Sequence, residues 1–177
     1  MKKRYIPFLF IIMLGFLVGW STSTKAAEVN SLKSGYYTIY PKNNSSLQVG
    51  TRDFSLINPD PDLQKFEFFY LPDQQAYLIN DQFAEENAFW NGDYDFSENL
   101  QWAEFIPIGK TPDPNRLWTT ESLGNGKYII HNKKDSSLVW SLTNYYATLN
   151  TRVNLEKIHT SSDPLRDGQI FILTMNK

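Results

Sequence analysis

The sequence predicts an all-β domain assembled from three copies of one four-stranded unit. Three observations carry that prediction: a near-duplicated segment, scarce helical periodicity, and a threefold layout of aromatic positions. From Tyr37 the chain reads YTIYPKNNSSLQV, and from Tyr128 it reads YIIHNKKDSSLVW. Tyr37/Tyr128, Ile39/Ile130, Lys42/Lys133, Ser45/Ser136, Ser46/Ser137 and Leu47/Leu138 match at identical offsets, where background residue usage would supply about one match. Self-similarity of this kind sets the architecture before any local reading. Elsewhere, short runs rich in Tyr, Ile, Phe, Val and Trp alternate with Asn, Asp, Ser, Gly and Pro clusters, the pattern of strands and turns. Only Gln82 to Asn87 suggests a helical turn.

Four strand positions recur three times. The first is Tyr-x-Ile, at Tyr37-Thr38-Ile39, Tyr77-Leu78-Ile79 and Tyr128-Ile129-Ile130. Residues two apart share a sheet face, so each pair offers a Tyr and an Ile to the core. The second position is Leu47-Gln48-Val49, Ala88-Phe89-Trp90 and Leu138-Val139-Trp140. The third is Phe54-Ser55-Leu56, Leu100-Gln101-Trp102 and Val153-Asn154-Leu155, and the fourth is Gln64-Lys65-Phe66, Arg116-Leu117-Trp118 and Gln169-Ile170-Phe171. Trp102 to Trp118 and Leu155 to Phe171 both span sixteen residues, whereas Leu56 to Phe66 spans ten, so the first repeat has a trimmed loop. Repeats are expected near 35–72, 75–123 and 126–174.

The N-terminus reads differently. Lys2, Lys3 and Arg4 precede an apolar run from Ile6 to Trp20, then a small polar stretch and Thr24-Lys25-Ala26. This is the pattern of a cleaved signal peptide, residues 1–26, ahead of a single domain over 27–177. The run is broken by Pro7 and falls short of the ~20 residues of a membrane span. Secretion without stable membrane insertion is therefore expected. Cleavage removes four basic residues and no acid, leaving 13 basic (17 less four) against 19 acidic residues, a net charge of −6. That sign argues against nucleic acid or anionic membrane as the main partner. The chain has no cysteine, which excludes disulfides, Cys-based zinc sites and a thiol nucleophile. A cysteine-free exported chain behind a short Lys/Arg leader fits a bacterial source. Asn43 and Asn44 sit in N-x-S sequons, which matter only in a eukaryotic host.

Tyr-x-Ile, a hydrophobic pair after a polar turn, and Gln-x-aromatic at the repeat's end together resemble the ricin-type β-trefoil lectin family, over about Gly35 to Leu173. In that family Q-x-W closes each repeat. Gln64-Lys65-Phe66 and Gln169-Ile170-Phe171 match it with Phe for Trp, and Arg116-Leu117-Trp118 keeps the aromatic without the Gln. The resemblance implies a β-trefoil that binds a glycan or a glycosylated host receptor without a cofactor, often as one component of a secreted toxin. It also implies a remodelled surface. Where the family places its pocket Asp, this chain has Gln48, Phe89 and Val139; where it places its aromatic platform, Ile57, Ala103 and Glu156.

Two polar–aromatic clusters lie between second and third strands, where this family carries its ligand groups. One surrounds Asn91-Gly92-Asp93 with Phe89, Trp90, Tyr94 and Phe96; the other holds Trp140, Asn144, Tyr145 and Tyr146. Sugar recognition needs an apolar stacking face beside fixed hydrogen-bond partners. The expected ligand-binding residues are therefore Asp93 and Asn144 for hydrogen bonds and Tyr94 and Tyr145 for stacking, with Trp90 and Trp140 expected to point inward. Glu85-Glu86, Asp60-Pro61-Asp62 and Asp93-Tyr94-Asp95 read as solvated turn acids, since neither the spacing of a calcium loop nor the geometry of a hydrolase pair is indicated. His159 near Ser161, Ser162 and Asp163 does not make a triad, which is defined in three dimensions. Neither catalytic residues nor a metal site are expected. The alternative to a glycan is a protein partner, as an inhibitor presenting Lys110 to Asn115 or as a structural partner in a secreted complex.

Overall fold

The computed structural model describes residues 32–51, 54–60, 65–81, 90–91, 101–102 and 113–177. The signal segment, the turn at Gln82 to Asn87, and Asp93 and Tyr94 lie outside the described residues. Twelve strands fall among the described ones. The first repeat contributes β1 (Gly35–Pro41), β2 (Gln48–Val49), β3 (Leu56–Ile57) and β4 (Phe66–Leu71). The second contributes β5 (Ala76–Asp81), β6 (Trp90–Asn91), β7 (Gln101–Trp102) and β8 (Trp118–Gly124). The third contributes β9 (Lys127–Asn132), β10 (Leu138–Leu142), β11 (Val153–Lys157) and β12 (Phe171–Met175).

The first and fourth strands of each repeat make a barrel. Pairing runs β9-β12-β1-β4-β5-β8, and β8 returns to β9, so the six strands close with every contact antiparallel. Closure removes the exposed edges of an open sheet. The second and third strands pair with each other as hairpins; β2–β3 and β6–β7 stand as separate two-stranded sheets, whereas β10–β11 joins the barrel sheet through the Val139–His131 pairing of β10 with β9. At the β8–β9 turn, Asn125 and Gly126 both have positive φ (53° and 71°), the conformation that Asn-Gly adopts most readily in a hairpin.

The repeat register is visible in the core. Ile39, Ile79 and Ile130 are fully buried, as are Phe66, Trp118 and Phe171, each of which opens the last strand of its repeat. Trp140 points inward and meets Phe54 (4.9 Å), Trp118 (5.6 Å), Phe66 (6.0 Å) and Phe171 (6.3 Å) edge-on, the favoured geometry for aromatic pairs. Just ahead of β1, the Tyr77 hydroxyl donates to the Leu32 carbonyl at 2.7 Å and the Tyr37 hydroxyl to the Lys33 carbonyl at 2.8 Å. Burial and the neighbouring Tyr128 push the Tyr37 hydroxyl pKa up.

One strand is displaced from its expected place. Phe54 has φ +55° although it is buried, so the third strand of the first repeat starts at Leu56. Ser55 instead makes an isolated bridge to Arg152 of the third repeat. The closing Gln169 is also not a strand residue. It ends the 3₁₀ turn Pro164–Gln169, where its Nε2 donates to the Lys157 carbonyl at 2.8 Å and its Oε1 accepts the His159 N–H at 2.8 Å. Its role in this repeat is to tie the end of β11 to the start of β12.

Candidate functional site

The β10–β11 hairpin carries a ten-residue connection, 143–152, that opens with the 3₁₀ turn Thr143–Tyr145. Asn144 and Tyr145 both lie in the left-handed region (φ +61° and +60°), as does Asn150 (φ +67°). A run of two such residues without glycine is strained and persists only where neighbours fix it. The neighbours come from the first repeat. Asn43 Nδ2 donates to the Tyr145 carbonyl at 3.2 Å, Asn44 Nδ2 to the Ala147 carbonyl at 3.0 Å, and the Asn150 N–H to the Leu56 carbonyl at 2.8 Å. The hairpin mouth closes through Thr143 N–H to the Arg152 carbonyl at 2.8 Å.

This loop encloses an open depression of about 330 Å³ lined by Thr143, Asn144, Leu149, Asn150, Thr151 and Arg152. Hydroxyls and carboxamides dominate the lining, and these both donate and accept. No carboxylate among the described residues pairs with Arg152. Tyr146 (70% exposed) and Leu149 (52%) project from the same loop.

Of the residues expected to bind a ligand, Asn144 lines the depression, and Asp93 and Tyr94 lie outside the described residues. Tyr145 does not line it. Its ring meets the His159 ring edge-on at 5.0 Å, with its hydroxyl 3.1 Å from Nε2. A hydrogen bond to Glu156, with burial and the nearby carboxylates, pushes the Tyr145 pKa up to about 12. Gly168 makes this packing possible, because a Cβ there would stand 2.7 Å from the Tyr145 Cα.

His159 reaches Asp163 rather than a serine, with Nδ1 2.9 Å from Oδ2. Asp163 also accepts the Leu165 N–H at 2.9 Å, capping the 3₁₀ turn. That backbone bond, with the bond to His159, holds its carboxyl below the usual range. The cluster Tyr145–His159–Asp163 was not legible as a unit. Asp163 four residues after His159 was a signal, but Tyr145 reaches it only through the hairpin. The other histidine, His131, places Nδ1 2.8 Å from the Ser136 carbonyl and Nε2 3.3 Å from Glu121. No group of three His, Cys, Asp or Glu side chains among the described residues could hold a metal. No helix among them is long and apolar enough to cross a membrane.

No protein-family model matches the chain, and no curated protein matches it either. Solved structures do. A mosquitocidal holotoxin superposes with a TM-score of 0.67 at 17% identity, over 82% of this chain and 18% of that one. A proteinase inhibitor from Coprinopsis cinerea gives 0.58 at 16% identity, over 82% of this chain and 100% of that one. The C-half of an earthworm R-type lectin in complex with GalNAc gives 0.50 at 14% identity, over 80% and 99%. The fold is a β-trefoil. At these identities the likeness is one of fold, shared by trefoils of unrelated function, and the chain spans under a fifth of the holotoxin it matches.

Proposed function

We infer that this β-trefoil is a secreted, non-enzymatic glycan-binding protein that recognises a glycosylated receptor, and that its site is the 143–152 depression of the third repeat. The observation that carries the reading is the strained, amide- and hydroxyl-lined hollow held rigid by Asn43 and Asn44. Fixed donors and acceptors around a preformed hollow suit a polyhydroxylated ligand. Asn144, Asn150 and Thr151 would supply hydrogen bonds and the exposed Tyr146 a stacking face. Arg152, with no carboxylate partner among the described residues, favours a sugar bearing a carboxylate. Asp93 and Tyr94 would form the counterpart site of the second repeat. A trefoil in a holotoxin and another in a GalNAc-bound lectin support the class, and a bacterial toxin component is the setting we propose.

A glycan array that pairs sialylated with neutral galactosyl glycans tests this reading. Binding that Asn144→Ala weakens, with the fold intact, supports it; a blank array removes it.

A second reading, a protein-binding trefoil, is favoured by one observation: Tyr146 and Leu149 are large apolar groups exposed on the same loop, which fits anchors for a protein surface. The Lys110–Asn115 segment is a weaker anchor for that reading. Its first residues lie outside the described ones, and Asp113 folds the rest into a capped 3₁₀ turn by accepting the Asn115 N–H at 2.9 Å. A pull-down from host membranes that survives enzymatic deglycosylation would put this reading ahead.

A further inference from the structure

Tyr146 has the most exposed large apolar side chain among the described residues, yet the backbone on both sides of it is held. On one side Asn43 Nδ2 donates to the Tyr145 carbonyl at 3.2 Å; on the other Asn44 Nδ2 donates to the Ala147 carbonyl at 3.0 Å. This clamp is itself fixed. Asn44 Oδ1 accepts the Ser46 N–H at 3.2 Å, which sets the orientation of the carboxamide, and the Pro41 carbonyl accepts the Asn44 N–H at 3.2 Å. Side chains alternate along the clamped segment. Tyr145 turns in against His159, Tyr146 turns out, and Ala147 turns in against the core. Tyr146 is extended (φ −108°, ψ 132°). The turn that follows is closed by the Thr151 N–H to the Thr148 carbonyl at 3.1 Å and by a Thr148–Thr151 hydroxyl bond of 2.7 Å.

A partner for this arrangement must take one large aromatic side chain and the short extended backbone that bears it. A chymotrypsin-type endopeptidase takes both, because a hydrophobic slot reads the residue just before the cleaved bond. A loop already rigid in its bound shape loses little freedom on docking, and tyrosine is among the residues enriched at interface hot spots. The Tyr146 carbonyl accepts the Thr148 N–H at 3.1 Å. A carbonyl has two lone pairs, so this bond leaves one for the donors of a protease's oxyanion hole. The two asparagines also give the loop a reason to resist digestion. Hydrolysis after Tyr146 adds one water across the bond and leaves a Tyr146 carboxylate and an Ala147 ammonium. Asn43 and Asn44, adjacent in the chain, would hold these two ends together, so the amine stays in place to re-form the bond as water departs.

We propose that residues 145–148 form a substrate-like inhibitory loop for a secreted serine endopeptidase that cleaves after large aromatic residues, with Tyr146 filling its primary pocket. The proposal gives the protein-binding reading a partner class and rests on that reading rather than on glycan recognition. Tyr146 is not among the residues that line the depression, so the two contacts use different faces of one loop.

The test titrates the purified protein into chymotrypsin, and into trypsin, which cleaves after Lys and Arg, each with a chromogenic peptide substrate. Chymotrypsin should be inhibited and trypsin spared. Tyr146→Ala should weaken the inhibition about thirtyfold or more, the scale of an interface hot spot, and Tyr146→Arg should transfer it to trypsin. Asn43 is exposed, so Asn43→Ala should fold. Its inhibition should fade with time while mass spectrometry shows a cut between Tyr146 and Ala147. An uninhibited chymotrypsin, inhibition that Tyr146→Ala leaves unchanged, or rapid cleavage after Tyr146 in the unaltered chain would each overturn the proposal. The glycan array reads the other function separately. A chain that binds sugar and leaves chymotrypsin active loses this proposal alone, and one that inhibits chymotrypsin and binds no sugar loses only the glycan reading.

Discussion

Tyr77 lies directly across the sheet from Trp118, and the same cross-strand partnership joins Tyr37 to Phe66 and Tyr128 to Phe171. In each repeat the tyrosine near the start of the first strand meets the aromatic that opens the fourth. The threefold pattern is therefore a pattern of pairs, and each pair welds one end of a repeat to the other. Directly opposed residues are the unit of sheet stabilisation, which explains why these positions keep their aromatic character while the loops between them vary in length.

These pairs should dominate stability. Trp118→Ala and Phe171→Ala each empty a fully buried aromatic site and should destabilise the domain by about 3–5 kcal/mol. Tyr77→Phe keeps the ring and removes the hydroxyl that bonds the Leu32 carbonyl, for a loss of about 1 kcal/mol. Urea denaturation of the three variants should rank them in that order.

The barrel was legible because its evidence is periodic: Tyr37, Tyr77 and Tyr128 occupy one register position, and Phe66, Trp118 and Phe171 another. What escaped the sequence depends on contacts between repeats. Phe54 takes a left-handed backbone conformation that nothing in its residue type favours, and it does so where Ser55 bridges to Arg152. The inward turn of Tyr145 depends on Gly168 and His159, which follow it by a full strand. Asn144 could be picked out because turn residues beside aromatics are visible in a sequence, but the Asn43 and Asn44 side chains that shape its loop come from another repeat.

Gly168 should tolerate no side chain. A Cβ would stand 2.7 Å from the Tyr145 Cα and 2.9 Å from its Cβ, so Gly168→Ala must displace backbone as well as side chain. Overpacking of this kind typically costs 1–3 kcal/mol. Thermal unfolding should show the loss, and Tyr145 should lose its contact with His159 in the variant's NMR spectrum.

Acid and alkali should act on opposite ends of the Tyr145–His159–Asp163 cluster. Asp163 has a folded-state pKa below its unfolded value, so its contribution is present above the unfolded pKa and is lost as pH falls through the folded one. Tyr145 is raised from 10.0 to about 12, so the stability it lends is full below pH 10 and declines between pH 10 and 12. Denaturation midpoints at pH 8 and pH 11 should fall more steeply for the unaltered chain than for Tyr145→Phe. A parallel fall in both would show that Tyr145 keeps its ordinary pKa in the fold. Asp163→Asn should likewise flatten the decline on the acid side, between pH 5 and pH 3.

The binding site itself is tested by separating charge from shape. Arg152→Ala removes the cation at the rim of the depression, whereas Arg152→Lys keeps the charge but loses the planar fork that engages a carboxylate through two parallel bonds. For 3′-sialyllactose, Arg152→Ala should weaken binding about tenfold or more, since hydrogen bonds to charged groups contribute about 1.5–3 kcal/mol, and Arg152→Lys should fall between the two. Raising the salt concentration should weaken the unaltered chain and leave Arg152→Ala nearly unmoved, because exposed charges are screened. Asn144→Ala and Tyr146→Ala should weaken acidic and neutral sugars alike, as losses of a hydrogen bond and of a stacking face that carry no charge. If both leave affinity unchanged while the fold is intact by circular dichroism, the ligand sits elsewhere, and the second-repeat residues Asp93 and Tyr94 become the next pair to alter. If Arg152→Ala alone is silent, the site stands and its ligand is a neutral sugar.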